Sequence, residues 1–105
     1  MKQVEFMNSI DKIITREIII KASCGDKESM RIIFDNTRDE IYKGVVILLN
    51  GDEKIAIRIL EDTYIDVFKK LKSDCTLEML RKHLKDKSIY YVLKWRNNNS
   101  IDNKS

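Results

Sequence analysis

Residues 24–71, "CGDKESMRIIFDNTRDEIYKGVVILLNGDEKIAIRILEDTYIDVFKKL", contain one piece of punctuation twice: Gly25-Asp26 and Gly51-Asp52, each followed by an amphipathic run. Glycine adopts the left-handed backbone that ends a helix, and an aspartate directly after it can accept from the free N–H groups of the next helix. The two turns therefore divide the chain into helices. Between them, Met30, Ile33, Phe34, Ile41, Val45, Leu48 and Leu49 recur at helical spacing and predict a helix over 27–49, about 35 Å long at ~1.5 Å per residue. Beyond Asn50-Gly51, the residues Ala56, Leu60, Tyr64, Val67 and Leu71 form a second stripe, widened by Ile55, Ile59 and Phe68. They predict a helix over 53–72, with Glu53 in the first turn where the helix dipole favours an anion.

Upstream, a first helix is expected over 3–23. Met7, Ile10, Ile14 and Ile18 fall on one face with Ile13 beside them. Ile18-Ile19-Ile20 also suits a strand, but Glu17 and Lys21 stand an i,i+4 step apart across it and favour the helix. Downstream of Asp74 the pattern weakens. "CTLEMLRKHLKDK" predicts a short helix capped by Thr76, with Leu77, Leu80 and Leu84 apolar, and Ser88 starts another through "IYYVLKWR". The polar tail 97–105 is expected to fray. The expected fold is all-α: a three-helix antiparallel bundle followed by one or two shorter C-terminal helices, in a single domain over 1–105.

Composition agrees with long helices, since proline is absent and glycine occurs three times. No apolar run approaches the roughly 18 residues that span a bilayer, and the N-terminal stretch mixes charges into its apolar positions. Two cysteines, Cys24 and Cys75, make neither a disulfide framework nor a metal spacing, so a cytoplasmic protein without a membrane partner is expected. The net charge of +3 conceals a division. Residues 25–71 balance at −2 and residues 72–105 at +4, so the C-terminal third is where a polyanion is most readily met.

The motifs of catalysis are missing. There is no His/Cys cluster for a metal, no glycine-rich phosphate loop, and no nucleophile set that the single histidine, His83, could serve. Asp39-Glu40 and Glu61-Asp62 are adjacent on helices and point in different directions, so neither is an acid/base dyad. No catalytic residue, metal or cofactor is expected, and the protein is not read as an enzyme.

Two constellations suit binding. Asp62 and Asp66 are an i,i+4 pair away from the apolar stripe, flanked by Glu61 and Ile65; the plain reading is a solvated face with Ile65 at the core margin. "YYVLKWRNNN" interleaves aromatics with Lys94, Arg96 and three asparagines. Aromatic faces stack on unpaired bases, asparagine reads base edges, and Lys/Arg neutralise phosphates. Tyr91 and Trp95, also i,i+4, equally suit a core.

The order of these features resembles the N-terminal helical domain (region two) of bacterial RNA polymerase sigma factors, especially the compact extracytoplasmic-function type, over residues 17–102. The family's acidic-aromatic helix reads roughly Asp-Ala-Glu-Asp-Leu-Val-Gln-Glu-Val-Phe. Glu61, Asp62, Val67 and Phe68 match it, Asp66 stands for the Glu, Leu60 for the Ala and Ile65 for the Gln. The resemblance implies that Glu61, Asp62, Ile65 and Asp66 dock on the clamp of the largest subunit of core RNA polymerase. "YVLKWRNNNSID" is similar to the segment that captures the unwound minus-ten promoter strand, with Asn98 and Asp102 on the family's Asn and Asp and Asn97 in its Arg position. The implied DNA-binding set is Lys87, Tyr90, Tyr91, Lys94, Arg96, Asn97, Asn98 and Asp102, and single-stranded promoter DNA the implied ligand. The domain that reads the minus-thirty-five element is absent from this sequence. An anti-sigma factor or a second sigma-like subunit are further partners implied by the resemblance. The alternative is a small helical regulator of a protein partner, anti-sigma-like or a mobile-element accessory protein, without DNA contacts.

Overall fold

The computed structural model describes residues 12–104, with side chains described for 12–98. Four helices follow in order: α1 (Arg16–Ser23), α2 (Lys27–Leu48), α3 (Glu53–Lys70) and α4 (Leu77–Lys104). Among the described residues there is no strand.

Each helix begins on an oxygen that accepts the backbone N–H three residues on. Thr15 caps α1 through Ile18, Asp26 caps α2 through Ser29, Asp52 caps α3 through Ile55, and Thr76 accepts from Met79 at the start of α4. Ser29 adds its hydroxyl to the Asp26 carboxylate at 2.6 Å. These two Ser29 bonds, side chain first and backbone second, hold the Asp26 carboxyl below its usual range. Both glycine turns behave as the sequence predicts. Gly25 has φ +93°, its N–H bonds the Ala22 carbonyl, and the Asp26 N–H reaches back to Lys21. At the second turn Asn50 takes the left-handed position (φ 56°) and Gly51 follows at φ 88°.

Two expectations are corrected. The helix expected over 3–23 is broken: Lys12 and Ile13 are helical, Ile14 bends, and Thr15 is extended so that its hydroxyl can cap a new helix. The break shifts the register, so that Ile14, Ile19 and Ala22 enter the core while Ile13 is 46% exposed. Residues 3–11, with Met7 and Ile10, lie outside the described residues. The two short C-terminal helices are one helix of 28 residues, the longest described, passing through Ser88 without a break. Its backbone is helical through Lys104.

The core joins Ile33, Ile41 and Val45 of α2 to Ala56, Ile59, Leu60, Tyr64 and Val67 of α3 and to Leu80, Leu84 and Val92 of α4. α3 and α4 make the most extensive pairing, and α2 touches all three other helices. Three buried hydroxyls are satisfied within their own helices: Thr37 donates to the Ile33 carbonyl, Thr63 to Ile59 and Ser88 to Lys85. Thr37 has one proton, already given to Ile33, so Tyr64 is the donor in its 2.5 Å contact with Thr37. Burial first, with the Glu40 charge also contributing, pushes the Tyr64 phenol up to about 12.

Candidate partner and nucleic-acid interface

The α3–α4 pairing decides where the charged residues go. α3 turns Ile59, Tyr64 and Val67 inward, which leaves Glu61, Asp62 and Ile65 on its open side, all exposed. Ile65 is 66% exposed, so it is not at the core margin. Asp66, one turn after Asp62, leans toward α4 and keeps only 17% side-chain exposure. Lys70 reaches its Oδ1 at 3.2 Å, while Lys87 and the Tyr91 hydroxyl each reach Oδ2 at 3.2 Å. Hydrogen bonds from Lys87 and then Lys70 hold the Asp66 carboxyl below its usual range. Tyr91 is shifted the other way, upward, by burial and then by the Asp66 charge.

α4 carries all of the sequence-predicted DNA-binding residues. Tyr90 is 52% exposed, and Lys94, Asn97 and Asn98 are exposed. Tyr91 and Trp95 are half-buried and pack on the core. The Lys87 ammonium sits 5.0 Å from the Tyr90 ring centre, within cation–π range. Arg96 donates to the Leu48 carbonyl at the end of α2, a terminus whose last turn has no basic residue of its own. Arg81 and Lys85 both pair with Glu40 of α2, at 2.8 and 3.0 Å. Burial pushes the Glu40 carboxyl up, but hydrogen bonds from Lys85 and Arg81 outweigh it and leave the group low. Asp102 lies on α4 beyond the residues whose side chains are described.

The acidic and basic sets therefore share one seam. A groove of about 230 Å³ brings Asp62 of α3 beside Tyr91, Lys94 and Asn98 of α4, with Ile55, Arg58, Ile59 and Trp95 completing its walls. A larger hollow of about 550 Å³ lies further along, between the end of α3 and the start of α4. Its apolar wall includes Leu71, Cys75 and Met79, and Lys87, Tyr90 and His83 line it too. Burial, then the Asp74 charge, pushes the Cys75 thiol up, so it stays protonated at neutral pH. Sequence reasoning missed Arg58, Met79 and the hollow. Arg58 precedes Asp62 by one turn and was within reach of the same spacing argument; the hollow depends on the loop 71–76 and carries no local signal. Among the described residues, no group of acidic, histidine or cysteine side chains could hold a metal ion, and no helix is long and apolar enough to cross a membrane. Comparison with protein-family models, curated proteins and solved structures finds no match to the chain.

Proposed function

We propose that this chain is a sigma-factor-like transcription-initiation domain. It docks on core RNA polymerase through Glu61, Asp62 and Ile65 of α3, and meets the unwound minus-ten promoter strand along α4. In this reading it works in the cytoplasm, its first three helices form an antiparallel bundle, and it contributes positioning while the polymerase makes the RNA. The observation that carries the reading is a single stripe of α4. Tyr90, Leu93, Lys94 and Asn97, at helical spacing, are all exposed, and Tyr90 and Leu93 are each about half open. An open aromatic beside a cation and an amide is the equipment for stacking on an unpaired base.

A second reading has its own support. Four basic residues of α4, Arg81, Lys85, Lys87 and Arg96, already have partners within the fold, which suits a regulator of a protein partner. Pull-down of core polymerase separates the two. Asp62→Lys places like charges across the proposed contact and is expected to weaken docking by several kcal/mol while leaving helicity unchanged. Ile65→Asp is expected to weaken it as well. Normal pull-down by folded Asp62→Lys moves the regulator reading ahead. The DNA half is tested by titrating single-stranded and duplex oligonucleotides at two salt concentrations. Equal binding to both forms counts against it.

A further inference from the structure

The Asp66 bridge stands between the two hollows of the α3–α4 seam: Asp66, Lys87 and Tyr90 line the larger, and Tyr91 lines the smaller. One carboxylate thus holds two α4 side chains at once, Lys87 at 3.2 Å and Tyr91 at 3.2 Å. Lys87 in turn lies over the Tyr90 ring, whose other ring contact is the edge-on Tyr91 at 5.2 Å. Asp66, Lys87, Tyr90 and Tyr91 form a closed circuit in which each member touches two others. An ammonium this close to a carboxylate has its charge answered inside the protein, and an ammonium on one face of a phenol ring restricts that ring.

We propose that Asp66 is a positioning residue, not a partner contact: it withholds Lys87 from phosphate and steadies Tyr90, so that the open part of the ring is presented to an unpaired base. The proposal rests on the reading of α4 as the strand-binding face. It also reassigns two residues. Asp66 leaves the polymerase-docking set, and Lys87 leaves the set of phosphate contacts. The electrostatic part of strand binding then falls to Lys94 and Arg96, neither of which makes an ion pair among the described residues.

The test measures binding of oligothymidylate over a salt series by wild type, Lys87→Gln, Asp66→Asn and the double variant. Lys87→Gln is expected to leave the slope of log affinity against log salt unchanged. Asp66→Asn frees Lys87 for a phosphate and is expected to steepen the slope by about 0.7, the value for one single-strand contact. The double variant loses that increment again, and any excess left over the wild-type slope belongs to Lys70, the other ammonium that Asp66 holds. A shallower slope in Lys87→Gln overturns the proposal by itself, and does not depend on Asp66→Asn folding. An unchanged slope in folded Asp66→Asn overturns it too. A second readout needs no DNA. The Lys87 side-chain protons next to the nitrogen are expected to carry an upfield ring-current shift from Tyr90 in wild-type NMR spectra, lost in Asp66→Asn and in Tyr90→Leu. A shift that persists in Asp66→Asn shows that Asp66 does not place Lys87. Wild type that binds no oligothymidylate removes the strand-binding reading, while the ring-current measurement still decides what Asp66 does.

Discussion

α2 and α4 both bury one face, yet they are held by different means. α2 is bounded by its neighbours in sequence: Asp26 caps its start, and the left-handed Asn50 and Gly51 close its end. α4 has a local cap at Thr76 and then depends on other helices. Glu40 of α2 receives Arg81 and Lys85, and Asp66 of α3 receives Lys87 and Tyr91. Even the end of α2 borrows from α4, through Arg96 on the Leu48 carbonyl. The comparison separates two kinds of order: a helix closed by backbone geometry survives changes elsewhere, whereas a helix placed by long-range pairs is sensitive to residues far away in sequence.

The largest test of that contrast lies in the buried side of α4. Leu84 is fully buried, so Leu84→Ala is expected to destabilise by about 2–5 kcal/mol in urea denaturation, the usual range for a large-to-small core change. A cost under about 1 kcal/mol would mean that α4 is docked more loosely than α2. Next comes the local punctuation. Beyond its chain neighbours no heavy atom lies within 4 Å of a Cβ added at Gly25, so the cost of Gly25→Val is that of its left-handed backbone, and a loss of about 1 kcal/mol or more is expected. No loss would show that the α1–α2 turn is not what holds the start of α2.

Tyr64→Phe comes third. It removes one buried hydroxyl donor while Thr37 keeps its bond to Ile33, so a loss of about 1 kcal/mol is expected. The same residue predicts an alkaline limit. Its folded pKa, about 12, lies above the ordinary value of 10.0, so the folded state keeps the proton longer. That contribution is complete below pH 10 and is lost as pH rises toward 12. Stability measured across that window should fall less steeply in Tyr64→Phe than in wild type. The smallest effect belongs to Glu40→Gln. Its carboxyl is held low, so the contribution is present above the ordinary carboxylate range and lost as pH falls through it. Since the Glu40 side chain is 39% exposed, solvent screening limits the expected loss to about 0.5 kcal/mol.

The helix bounds over 27–72 were legible because their signals are local. Asp26, Gly25, Asp52 and Gly51 act on backbone groups within three or four residues, and the apolar stripe of α3 needs only its own period. α4 was misread as two helices because "KDKS" interrupts its apolar pattern with four polar residues. Ser88 is nevertheless buried, its hydroxyl returned to Lys85, while Lys85 is answered by Glu40 of α2 and Lys87 by Asp66 of α3. The break at Ile14-Thr15 was missed for the opposite reason. A continuing apolar period masked a threonine whose hydroxyl is a good cap.

For the candidate site, the sequence determined that acids gather on α3 and that cations and aromatics gather on α4, since composition and helical period alone place them there. Only the tertiary structure decided that these two faces meet along one seam. Packing α3 on α4 brings Asp66 within hydrogen-bonding distance of Lys87 and Tyr91, and sets Asp62 beside Lys94 across a shared groove. Residues more than 20 positions apart in the sequence carry no periodic signal of each other. Their pairing follows from the rotation and tilt of two helices, which buried side chains such as Val67, Leu84 and Val92 fix from within.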